Sequence, residues 1–179
     1  YVLAQTVVDT TPFNSIGVVW ADFNKDGFDD LLMTRFDLFT SSSSVPLMFQ
    51  NTGAGNFTLV STNLEAASYA AATAADYDND GDIDIFYSVF GEDNKLYDGS
   101  GTFNFTKVDP TPVSENEGDA FEGAPFTASW VDYDKDGLLD LFVGKSGEGD
   151  QWNSLLFKQG PIHTFTKITA AGDLVNTLM

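Results

Sequence analysis

The chain has no cysteine, which removes disulfide frameworks and thiolate chemistry, although a bound metal can take the place of a disulfide as a staple. It is short of cations, with eight Lys plus Arg against 27 Asp plus Glu, a formal charge of −19 and a pI near 4.1. Such a surface repels phosphate, which excludes nucleic acid and argues against insertion into an anionic membrane. The single histidine, His163, has no Ser or Cys partner placed beside it by any motif, so a structural or exposed role is expected of it. No apolar run reaches the roughly 18 residues of a membrane span, and no stretch carries an apolar stripe of 3.6-residue period over a helical length. An initiator Met and a signal peptide are also missing. The chain opens at Tyr1 in what reads as strand, the pattern expected of a processed product or a window from a longer protein.

What is present is a core and a repeat. The 179 residues are 42% hydrophobic and 14% aromatic, with sixteen Phe, enough for one domain and unlike a disordered acidic tail. Three segments align: Gly17 to Leu32, Ala71 to Phe86 and Thr127 to Phe142, with leading acids Asp22, Asp76 and Asp132 spaced 54 and 56 residues apart. A period of this size marks propellers, solenoids or arrays. Each segment is followed in the same order by short runs rich in Val, Phe, Tyr and Thr, the last of them opening with a Phe-Thr pair at Phe57, Phe105 and Phe165. These runs have the strand signature. Four short antiparallel strands per repeat predict an all-β fold, a β-propeller segment of three four-stranded blades, with a β-sandwich as the alternative. Small residues before each loop (Gly17, Ala71, Ala72, Ala128) suit a crowded innermost strand. The expected frame is the last strand of a preceding blade at 1–10, then blades at 11–62, 63–110 and 111–179. Three blades do not close a propeller unaided, since closed ones have about four to eight.

The acids are not scattered. Each repeat carries Asp-x-(Asp/Asn)-x-Asp-Gly-x-x-Asp between its first two strands. Positions 1, 3, 5 and 9 are Asp22, Asn24, Asp26 and Asp30 in the first loop, and Asp76, Asp78, Asp80 and Asp84 in the second. In the third they are Asp132, Asp134, Asp136 and Asp140. Alternating oxygens from a tight turn suit a hard cation, with Gly at position 6 allowing the sharp bend and the carbonyl of position 7 (Phe28, Asp82, Leu138) completing the shell. Oxygen ligands with no His or Cys nearby select calcium over zinc or copper, so three calcium sites are expected. Four carboxylates in nine residues would repel one another without a cation, which disfavours plain acidic turns. An EF-hand is excluded, because position 12 is Met33, Tyr87 or Val143 instead of Glu and the flanks read as strands. Affinity rises with ligand charge, so the first loop, with neutral Asn24, is expected to be weakest.

These loops and their spacing resemble the FG-GAP/VCBS-type repeat family, whose best-known members are integrin α-subunit propellers. The resemblance implies calcium at the positions above, an extracellular location, and a role in adhesion or carbohydrate recognition. The sequence departs from the family's usual Leu-Val-Gly-Ala-Pro after the loop; the third repeat has Phe142-Val143-Gly144-Lys145-Ser146, and Gly123-Ala124-Pro125 lies before its loop. Fold alone does not fix function.

Other candidates carry bland expectations. Glu115, Glu117, Asp119 and Glu122 crowd 110–125 and read as a solvated insertion. Trp20 and Trp130 share one repeat position and read as packing between blades, while Trp152 is the better sugar-stacking candidate. Asn56-Phe57-Thr58 and Asn104-Phe105-Thr106 are N-glycosylation sequons at equivalent places. The expected function is a calcium-stabilised extracellular binding, adhesion or structural module without enzymatic activity, taking a glycan or an extracellular protein as partner. Two alternatives compete: a subunit of a fibre or surface layer that self-associates through open blade faces, and a non-catalytic excerpt of a propeller-type polysaccharide lyase.

Overall fold

The computed structural model describes residues 14–36, 43–90, 93–108, 125–145, 155–160 and 164–168. The strand expected at 1–10, the acidic insertion with Glu115, Glu117, Asp119 and Glu122, and Trp152 and His163 lie outside the described residues.

Among the described residues, twelve strands form three antiparallel sheets of four, and there is no helix. Sheet 1 contains β1 (Asn14–Ala21), β2 (Asp30–Phe36), β3 (Leu47–Asn51) and β4 (Phe57–Val60). Sheet 2 contains β5 (Tyr69–Ala75), β6 (Asp84–Val89), β7 (Lys95–Gly99) and β8 (Phe105–Val108). Sheet 3 contains β9 (Pro125–Val131), β10 (Asp140–Lys145), β11 (Leu155–Gln159) and β12 (Phe165–Lys167). In each sheet the strands lie side by side in chain order, as short hairpin connections dictate.

The repeat is accurate to the single residue. Trp20 pairs with Leu31, Ala74 with Ile85, and Trp130 with Leu141. The first strand of every sheet skips one residue at the same point: the register shifts between Ser15 and Gly17, between Tyr69 and Ala71, and opposite Gly144 and Lys145. A bulge kept in three copies is a built feature that bends the strand.

The sheets pack face to face, and each interface has its own core. Between sheets 1 and 2 lie Phe23, Leu32 and Met48 from one side and Tyr69, Ile85, Tyr87, Tyr97 and Phe105 from the other. Between sheets 2 and 3 lie Tyr77, Phe86 and Leu96, met by Leu141, Val143, Phe157 and Phe165. Strand β6 is therefore packed on both faces, and all six of its residues are buried. The first strands run close together, and β5 touches both β1 and β9. At Gly17 a side chain would meet Thr34 Oγ1 at 2.7 Å and the Ala71 backbone at 3.8 Å, so the small residues at this seam answer a real crowding.

Trp130 fulfils the packing expectation. Its ring stacks on Tyr77 at 5.4 Å and 12°, and meets Phe86 edge-on at 6.3 Å. Trp20 does not pack between sheets. It is 54% exposed on the face of sheet 1 turned away from sheet 2, with only an edge contact to Phe57 at 5.7 Å among the ring contacts of the described residues. The physical reason is position: the face that carries Trp130 meets sheet 2, while the equivalent face of sheet 1 meets no described sheet.

Candidate metal centre

The three acidic loops connect the first and second strands of their sheets. Their backbones coincide: position 4 (Lys25, Asn79, Lys135) has φ of 58°, 63° and 63°, and position 6 (Gly27, Gly81, Gly137) has φ of 89°, 89° and 91°. A φ near 90° is open only to glycine without strain, which explains that residue at position 6.

Within each loop the carboxylates at positions 1 and 5 hold backbone amides. Gly27 N donates to Asp22 at 2.8 Å, Gly81 N to Asp76 at 3.0 Å, and Gly137 N to Asp132 at 3.1 Å. The amides of Phe28, Asp82 and Leu138 donate to Asp26, Asp80 and Asp136 at 3.0, 2.8 and 2.9 Å.

Position 9 has a role that the motif alone does not reveal. Asp30, Asp84 and Asp140 are fully buried. One carboxylate oxygen accepts the amide of position 2 (Phe23, 3.1 Å; Tyr77, 3.0 Å; Tyr133, 3.1 Å). The other accepts an amide from the third strand (Asn51, 2.8 Å; Gly99, 2.8 Å; Gln159, 2.9 Å). This side chain straps the loop to the sheet. Burial pushes all three carboxyls up, Asp84 to about 7, against the pull of those two amides. The exposed position-5 carboxyls move the other way: Asn24 holds Asp26 down and Lys158 holds Asp136 down.

The loops differ in which acids converge. In the second, Asp76, Asp78 and Asp84 bring carboxylate oxygens within 4.8 Å of one another, and in the third Asp132, Asp134 and Asp136 do so. Among the described residues the first loop forms no such trio; there Asn24 occupies position 3 and donates its amide to Asp26 at 2.9 Å. In the second loop Asp76 Oδ1 is buried and has no hydrogen-bond partner, a costly state for a carboxylate oxygen. A hard cation is the group that fits it: the donors around it are all carboxylates, which suits an oxygen-ligated divalent ion.

Further residues reach the loops from outside the motif. Lys25 of the first loop pairs with Asp82 of the second at 2.5 Å. From one position of the third strand, Gln50 donates to Asp26 at 3.2 Å, Asp98 accepts the Tyr77 hydroxyl at 2.9 Å, and Lys158 binds Asp134 and Asp136, the latter at 2.9 Å. Sequence reasoning missed these three; strand register supplies them. Asn56 and Asn104 are exposed, each in the turn before the last strand of its sheet.

Three stacked antiparallel sheets with an acidic nonapeptide turn at the same corner of each define a repeat protein of acid-loop type. The FG-GAP-like repeat model matches residues 35–87 and 76–143, together more than half of the sequence. The chain belongs to the FG-GAP-like repeat family. It is also similar to cartilage acidic protein 1 of Xenopus tropicalis, 27% identical over 175 residues, covering 84% of this chain and 26% of that protein. The mouse and human proteins of that name are each 28% identical over 153 residues, 78% of this chain and 22% of theirs. The chain thus spans about a quarter of the length of these relatives.

Proposed function

We propose that this chain is a calcium-stabilised segment of a β-propeller, acting outside the cell as a non-enzymatic binding, adhesion or structural module. The observation that carries the reading is the buried, unpartnered Asp76 Oδ1 inside the trio Asp76, Asp78 and Asp84. A divalent ion there would be held by the position 1, 3, 5 and 9 side chains, and it would supply charge neutralisation and a rigid turn. The equivalent ligands are Asp22, Asn24, Asp26 and Asp30 in the first loop, and Asp132, Asp134, Asp136 and Asp140 in the third. Similarity to proteins named for cartilage and for acidity supports an extracellular place. The partner class is a glycan or an extracellular protein.

Terbium, a luminescent stand-in for calcium, tests the reading through its energy transfer from Tyr77 and Tyr133 at position 2 of their loops. Emission that appears on binding, is displaced by calcium and is lost for the second loop in Asp78→Ala supports the assignment. Terbium emission indifferent to calcium and to that substitution would refute it.

The open apolar face of sheet 1, with Val18, Trp20 and Leu59 all more than half exposed, favours a related reading in which another blade covers it, from the same polypeptide or from a second copy. Light scattering separates the two: a monomer in calcium leaves the first, and an oligomer leaves the second.

A further inference from the structure

The three loops share a backbone and differ in what the neighbouring strand presents to them. In each sheet the third strand carries the amide that meets the position-9 aspartate: Asn51, Gly99 and Gln159. The residue just before that amide faces the loop. It is neutral in sheet 1 (Gln50), negative in sheet 2 (Asp98) and positive in sheet 3 (Lys158).

In the third sheet the consequence is direct. The Lys158 ammonium donates to Asp134 Oδ2 and to Asp136 Oδ2, bonding positions 3 and 5 of the loop together. Those two acids belong to the converging trio of that loop. The same two carboxylates that would bind a divalent ion are thus already bridged, and one of their two charges offset, by a cation of the chain itself. In the second loop the corresponding residue, Asp98, adds negative charge near Asp84 and leaves Asp76 Oδ1 without a hydrogen bond.

We infer that Lys158 is a tethered competitor for the cation of the third loop, so that this loop binds calcium more weakly than the second although both carry four aspartates. The inference rests on the calcium reading given above and deepens it. For an ion to enter, the ammonium must leave two carboxylates and a like charge must remain nearby. Two unit charges about 4 Å apart near a surface interact strongly enough to change an affinity by about tenfold. The arrangement also keeps the third loop ordered when calcium is low, because Lys158 bridges its acids in the ion's place. The second loop has a lysine too, but Lys25 pairs with Asp82 at position 7, whose side chain is not a ligand, and bridges no two of its ligand carboxylates. The sheet-1 residue Gln50 bonds position 5 only, at 3.2 Å, and brings no charge.

The test is a calcium titration of the full chain followed by amide NMR, reading each loop through its position-6 glycine: Gly27, Gly81 and Gly137. In the wild type the Gly81 signal should move at about tenfold lower calcium than that of Gly137. Lys158→Gln, which copies sheet 1, should tighten the Gly137 transition about tenfold and leave the Gly81 transition in place. Lys158→Arg keeps the charge and should keep the wild-type order. If Lys158→Gln leaves the Gly137 transition unchanged, or tightens all loops alike, the inference is overturned while the calcium reading stands. If no glycine signal responds to calcium in any variant, the calcium reading itself fails and the inference falls with it.

Discussion

Trp20 and Trp130 occupy the same place in their repeats, pair with the same strand position, and meet opposite fates. Trp130 is clasped between sheets 2 and 3 by Tyr77, Phe86 and Phe165. Trp20 is 54% exposed beside Val18 and Leu59. The difference teaches that a repeat unit encodes a face, and that the face becomes core only where the next sheet meets it. Local sequence sets which residues point across; stacking decides what they contribute.

The sharpest way to break this comparison is to truncate both rings. Trp130→Ala should cost about 3–5 kcal/mol of stability, as removal of a packed aromatic does, whereas Trp20→Ala should cost less than about 1 kcal/mol. Urea unfolding measures both, and equal losses would show that the sheet-1 face is covered in solution.

Next in size is the position-9 strap. Asp84→Ala strands the amides of Tyr77 and Gly99, and should cost about 2–3 kcal/mol. Asp30→Ala strands those of Phe23 and Asn51 and should cost about the same, because this contact lies within one sheet. A much smaller cost at Asp30 would mean that the strap depends on neighbouring sheets. Smaller again is Tyr77→Phe, which removes the hydrogen bond to Asp98 and should cost about 1.5 kcal/mol, with the stack on Trp130 kept.

The last effect is one of pH, measured as melting temperature in EGTA. Burial raises the Asp84 carboxyl to about 7 in the folded chain, above its value near 3.8 when unfolded. Its protonated form is therefore favoured by folding, and this contribution is complete below about pH 4 and lost as pH rises through 7. Asp30 and Asp140 shift in the same direction. The metal-free protein should gain stability on acidification from pH 8 to 5; the lowered carboxyls of Asp26, Glu65 and Asp136 act the other way only below their unfolded values of 3.8, 4.5 and 3.8. In calcium the trend should reverse, since a protonated Asp84 cannot hold the ion.

Much of this was legible in the residues. The spacing of Asp22, Asp76 and Asp132 marked the repeat, and the runs opening at Phe57, Phe105 and Phe165 placed the last strand of each sheet. Short runs rich in Val, Phe, Tyr and Thr and Gly-containing turns are local signals, and they found strands well. What stayed hidden was non-local. Asp30, Asp84 and Asp140 read as ligands closing a shell, whereas each also accepts one backbone amide that requires the third strand to lie alongside. An acid heading an apolar run, as in Asp84-Ile85-Phe86, was the available hint of a buried carboxylate seeking donors. Lys158 was invisible for the same reason, because its nearness to Asp134 comes from strand pairing across 24 residues. The exposure of Trp20 depends on which sheet faces it, which no single repeat records.

If filled acidic loops stabilise the stacked sheets, as proposed, thermal melting in 1 mM calcium against EGTA reveals it. Three sites of about 10⁻⁴ M would together add about 4 kcal/mol at about 1 mM calcium, raising the melting temperature by roughly 10 °C in a chain of this size. An unchanged melting temperature would contradict the claim.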